Sequence, residues 1–239
     1  PEGPLVSAMV LGSKAVDLPY LTRDLFVQAG LAHSIAASGF HVSLILGLVL
    51  GFTKRFTRKT QFISGCLALI FFVSLTGLQP SVLRAVIMGF AALIAIGLKR
   101  KVKQLGSLVV AATLLLLFNP LWIWDLGFQL SFLATLGLIL TVPAITKRLR
   151  WLPPTIASLI AVPISATIWT LPLQLYVFSV VPSYGILLNI IVTPLISVIS
   201  IGGIISAVAA LMLPFAGSFL ASVLHYPTNL LIKIVEFFS

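Results

Sequence analysis

Residues 82–118 read VLRAVIMGFAALIAIGLKRKVKQLGSLVVAATLLLLF, two apolar runs joined by a basic cluster. An apolar run approaching about 18 residues crosses a bilayer as a helix, because a helix satisfies its own backbone in hydrocarbon. Lys99, Arg100, Lys101 and Lys103 mark the side on which the chain turns back. Working outward, the pattern recurs. Lys54, Arg55, Arg58 and Lys59 lie on one flank and Lys147, Arg148 and Arg150 on the other, with two crossings between successive clusters. The positive-inside rule assigns such clusters to cytoplasmic loops. The formal charge of +10 is therefore mostly a topology signal and says little about nucleic acid.

Composition points the same way. Of 239 residues, 59% are hydrophobic and 8% charged, against about 45–50% and about 25% in soluble domains. Such a chain cannot cover a globular surface with polar groups. That excludes an ordinary soluble enzyme, a disordered tail and a soluble DNA-binding domain. The single Cys66 excludes an internal disulfide framework and a cysteine-rich metal site, and reads as a small buried hydrophobe. The chain opens Pro1-Glu2-Gly3-Pro4 with no charged n-region before an apolar run, which predicts a piece of a longer polypeptide.

The fold expected is all-α: a polytopic helical membrane protein of about 7–8 transmembrane or re-entrant helices. Residues 1–30 form an interfacial amphipathic segment and residues 31–239 the membrane helices, together a single membrane domain. The spans fall at Leu31–Phe52, Phe62–Leu78, Val82–Leu98, Leu105–Phe118, Phe128–Ile145, Thr155–Phe178, Tyr184–Leu213 and Phe215–Phe238. With the basic clusters inside, the N-terminus faces outward, as do the loops at Gln79, Pro120–Asp125 and Val180–Ser183. Pro163, Pro172, Pro194 and Pro227, with Asn189, predict Pro-broken helices in the C-terminal half. Ordinary kinking for packing is the other reading of those prolines.

Membrane composition makes a few polar residues expensive. The first span carries His33, Ser34, Ser38, Gly39 and His41. At about 100° per residue Ser34, Ser38 and His41 share one face, with His33 beside it. These groups either contact a substrate in a polar interior or tie the helix to its neighbours. No carboxylate or third histidine stands at metal-ligand spacing, so neither a metal nor a cofactor is expected. Arg84 stands just inside the outward start of its span, against both the hydrocarbon and the helix dipole. It needs an anionic partner: a substrate phosphate, or Asp125 or an acidic residue of the N-terminal segment. Asp125 suits a helix cap, while Trp122 and Trp124 suit an interfacial belt. Gln129, near Ser131 and Phe132, needs a hydrogen-bonding partner. Trp122, Trp124 and Phe132 are also possible surfaces for base stacking.

Three segments carry a resemblance. Gly30–Val42 (GLAHSIAASGFHV) resembles the GLAHLLAISGLHV segment of ComEC-type competence proteins. Thr76–Ala85 (TGLQPSVLRA) is similar to that family's TG-x-x-PSxxRA motif, and Asn119-Pro120 with Asp125–Phe132 (DLGFQLSF) to its xP…D-x-GFQLSF motif. Leu171-Pro172-Leu173, then Asn189 and Pro194, match later features, while Ser13 and Phe40 depart from the family pattern.

The resemblance implies an inner-membrane DNA channel of natural transformation, passing single-stranded DNA from the extracytoplasmic side into the cytoplasm. His33, Ser34, Ser38, Gly39, His41, Arg84, Gln129 and Ser131 would line the path, with Pro172, Asn189 and Pro194 as helix breaks. It further implies OB-like and metallo-β-lactamase-like domains on the same polypeptide, other competence proteins as partners, and no catalysis within this chain. A secondary transporter of a small organic anion is the alternative. A serine protease using Ser38 and His225 lacks an oxyanion-hole pattern, and buried Arg84 argues against a purely structural subunit.

Overall fold

The structure is a computed structural model that describes residues 2–11, 20, 25–26, 39–178 and 185–238. Among them are nine α-helices. They are α1 (Glu2–Leu11), α2 (Gly39–Thr53), α3 (Arg58–Thr76), α4 (Pro80–Gly97), α5 (Gln104–Phe118), α6 (Leu126–Arg148), α7 (Pro154–Phe178), α8 (Gly185–Met212) and α9 (Pro214–Phe238). A short 3-10 turn, Pro120–Trp124, precedes α6. The helices expected from α3 onward are all present. Of the first expected span, Gly39–Thr53 is described, while His33, Ser34 and Ser38 lie outside the described residues.

Five helices are long and apolar enough to cross a membrane, within α3, α4, α6, α7 and α8. Large apolar side chains also stand on the surface, where Leu117 is 75% exposed, while Arg84 is only 8% exposed and His41 1%. Aliphatic and aromatic side chains face outward because the surrounding solvent is hydrocarbon. The chain is a multi-pass membrane protein.

The described residues form two compact units. In one, α1 packs on α8 and α9. Leu5 and Phe26 share a core there with Leu188, Val192, Ile196, Ile199, Leu231 and Val235. Of the expected interfacial segment, only α1, Tyr20 and Leu25-Phe26 are described. The other unit runs from Gly39 to Val181, with α4 at its centre, against α2, α3, α5 and α6. Close approach depends on glycine. A Cβ on Gly89 would stand 3.3 Å from Leu69, and one on Gly65 would overlap Leu93.

Local chemistry sets the turns between these helices. Gly77 ends α3 at φ +79°, a region glycine enters without a Cβ clash, and its N–H meets the Val73 carbonyl at 2.9 Å. Pro80 then opens α4 at a position whose N–H has no intrahelical partner. At the other end of α4, Lys99 takes φ 57°. Arg100 N–H donates to Ala95 O at 2.9 Å and Lys99 N–H to Ile96 O at 3.3 Å, the bond pair of a Schellman stop.

The breaks expected at Pro172, Asn189 and Pro194 are replaced by continuous helix. α7 runs through Pro163 and Pro172, and α8 through Pro194. Each proline removes one backbone donor, and the rest of the ladder holds. Hydroxyls reinforce the adjoining turns: Thr170 donates to Ala166 O at 2.8 Å, Ser197 donates to Thr193 O at 2.8 Å, and Thr193 donates to Asn189 O. Cys66, expected to be buried, is half-buried in α3.

The α6–α7 pair packs closely, with one especially tight contact. A Cβ on Gly137 would lie 2.5 Å from the Trp169 ring, whose Nε1–H donates to Thr141 Oγ1 at 2.8 Å. Gly137→Ala is expected to destabilise the protein by about 1–3 kcal/mol through overpacking, read as a lower thermal midpoint in detergent. An unchanged midpoint would show that the pair repacks freely.

Candidate functional site

Arg84 is the fifth residue of α4, one turn inside a helix start fixed by Pro80. Its guanidinium reaches two other helices. Nη1 donates to the Ser131 carbonyl in the second turn of α6, and Cζ lies 5.9 Å from the centre of the Phe132 ring. On the α2 side it lies against Gly39: a side chain there would collide with Nη2 and stand 3.2 Å from the Ala85 Cβ. Gly39 thus provides the space the guanidinium occupies. Phe132 is itself braced by Phe128, with ring centres 4.3 Å apart.

These contacts are a carbonyl and a ring, not a carboxylate. Asp125 caps α6, its Oδ1 accepting from Phe128 N–H at 2.7 Å, so it is not the acidic partner considered for Arg84. Arg84 Nε is buried and has no hydrogen-bond partner among the described residues. A charge removed from water with a donor unmet is costly. The starts of α4 and α6, both positive ends of helix dipoles, add to the penalty. The arrangement therefore concentrates one guanidinium and two positive helix ends, which together complement an anion oxygen.

Several candidate residues instead build the turn before α6. Asn119 Oδ1 accepts from Leu121 N–H at 3.1 Å, Pro120 opens the 3-10 turn, and Gln129 Nε2 donates to Ile123 O at 2.8 Å. That carbonyl is the partner Gln129 needed. Trp122 is half-buried with its ring 5.6 Å from Phe118, whereas Trp124 is 82% exposed. The Ser131 carbonyl also accepts from Thr135 Oγ1 at 2.9 Å, so Ser131 serves through its backbone. His41 is buried in the same unit. Pro172 is not among the groups around Arg84, and Asn189 and Pro194 belong to the other unit. The sequence singled out Arg84 by its cost but not the places that Gly39 and Phe132 take beside it.

Fold and site define a polytopic helical membrane protein with a buried arginine held between helix N-terminal turns. A family model described as Competence protein matches residues 9–239, and the chain belongs to that family. It is 29% identical over 218 residues to ComE operon protein 3 of Bacillus subtilis, covering 90% of this chain and 27% of that protein. It is 26% identical over 233 residues to an uncharacterized protein of Aquifex aeolicus, covering 97% of this chain and 53% of that one. An uncharacterized protein of Mycoplasma genitalium, MG316, is 28% identical over 197 residues, 81% of this chain and 47% of its own. The chain thus spans about a quarter of the first relative and about half of the others. No solved structure matches it. Its function is competence-related.

Replacing a buried, incompletely paired ion with an apolar side chain of similar volume is often neutral or stabilising, by about 1–4 kcal/mol. Arg84→Met is accordingly expected to unfold in detergent at or above the parent temperature. A large fall would instead show that the guanidinium's contacts hold the helices together.

Proposed function

We propose that this chain is the membrane channel of DNA uptake in natural transformation. It passes one strand from the extracytoplasmic side into the cytoplasm, and Arg84 is the first intramembrane contact for the strand's phosphates. The bilayer is the inner membrane, with the basic loops cytoplasmic and the N-terminus outside. The observation that carries this reading is the buried Arg84, which among the described residues has no partner for its Nε donor and no carboxylate beside it.

Each nucleotide brings a phosphate charge that hydrocarbon cannot accept. A path for it must supply donors without a tight grip, since conduction needs sites weak enough to leave. One guanidinium tempered by a carbonyl and a ring meets that demand better than a lysine-rich groove. Trp124, exposed at the same turn, is the aromatic best placed to stack on a base, because Phe132 and Trp122 already hold ring or cation neighbours. His41, buried in the same unit, is a further member of the proposed lining; His33, Ser34 and Ser38, expected from the sequence to join it, lie outside the described residues. Strand degradation would belong to a further domain of the longer polypeptide.

The test is made in the full-length gene of a transformable host supplied with end-labelled duplex DNA. Arg84→Ala is expected to lower nuclease-protected cytosolic label at least about tenfold, the scale of a lost charge-assisted contact, while surface-bound label and membrane protein level stay unchanged. Arg84→Lys should restore part of the uptake. Normal uptake by Arg84→Ala at normal protein level would sink the assignment.

A further inference from the structure

A groove of about 520 Å³ runs along α5 and α6 toward α7. Leu105, Leu108 and Ala112 line it from α5, Leu133 from α6 and Leu173 from α7, and Gln129 is the polar member. Its amide nitrogen is already committed to the Ile123 carbonyl, so the groove presents hydrocarbon to its occupant. The volume lies within the range of about 300–1,000 Å³ typical of small-molecule sites.

Charge identifies the occupant. Leu105, in the first turn of α5, stands two residues after Lys103, which occupies the N-cap position of that helix. Lys103 belongs to the exposed cluster with Lys99, Arg100 and Lys101, on a turn fixed by the Schellman bonds of α4. The described acidic residue of this unit, Asp125, belongs to the opposite end of α5 and caps α6. α5 has 15 residues, about 22 Å at 1.5 Å per residue, against a hydrocarbon thickness of about 30 Å. So short a helix draws the basic turn to headgroup depth. An acyl-sized groove whose Leu105 wall begins two residues after that basic turn is complementary to a lipid with an anionic head.

We infer that the α5–α6–α7 groove is a specific site for one anionic phospholipid. An acyl chain lies along Leu105, Leu108, Ala112 and Leu133, and the phosphate is held by Lys101 and Lys103. The site does not depend on the DNA-uptake reading. Because Phe132 lines the groove and also underlies Arg84, occupancy braces the ring on which the guanidinium rests.

The experiment uses delipidated full-length protein in an uncharged detergent. Phosphatidylglycerol or phosphatidylcholine with identical acyl chains is titrated in, and bound lipid is counted by native mass spectrometry. Phosphatidylglycerol should saturate at one tight site and bind at least about tenfold more strongly than phosphatidylcholine, as expected for two basic residues at the membrane surface. Lys101→Glu with Lys103→Glu should bring phosphatidylglycerol down to the phosphatidylcholine level. Ala112→Trp should abolish the tight site for either lipid. Val109→Trp, on a more exposed wall position, makes the same test should Ala112→Trp fail to fold. Equal binding of the two lipids, or parent-like binding by the groove-filling variant, would overturn the site. No DNA is present, so neither result bears on uptake.

Discussion

Hydrocarbon leaves no water to satisfy a backbone N–H or a side-chain charge, and the structure follows from that one constraint. It forces the chain into helices and turns aliphatic side chains outward. It also gives each turn a defined set of caps: Gly77 and Pro80 on one side of Arg84, and Asn119, Asp125 and Gln129 ahead of α6. Against this background Arg84 stands apart. The fold buries its charge, gives it a carbonyl and a ring, and leaves Nε unmet among the described residues.

The motif segments consequently divide into two kinds. Most of the Asn119–Phe132 segment is turn machinery, in which each polar side chain serves a nearby backbone group. Gly39, Arg84, the Ser131 carbonyl and Phe132 form the other kind, since they meet across three helices and no turn requires them. Stability explains the first kind. The second lowers stability by the measure of a buried ion and calls for a functional account.

The crossings were legible because hydropathy runs and basic clusters report on solvent, a property local to each run. Helix ends fell within a few residues of expectation; α4, expected at Val82–Leu98, spans Pro80–Gly97. Proline misled at Pro172 and Pro194, because a missing donor weakens one rung while packing and hydroxyl bonds keep the helix whole. Arg84 could be recognised from its cost, but its partners could not: Ser131 lies 47 residues away, and that pairing exists only once α4 and α6 are packed. Gln129 showed the converse, a residue flagged as needing a partner that found it six residues back, in the Ile123 carbonyl.

Contact between a translocating strand and the Arg84 neighbourhood is the decisive property of the proposed channel. A photo-crosslinking amino acid at Phe132, in the full-length protein of a transformable host, tests this directly when uptake is stalled with DNA blocked at one end. Leu114, half-exposed on α5 and not among the described contacts of Arg84, serves as the control position. The expected result is a crosslink from position 132 to single-stranded DNA, none from position 114, and loss of the crosslink with Arg84→Ala. Labelled DNA in the cytosol with no crosslink from position 132 would contradict the account and place the path elsewhere.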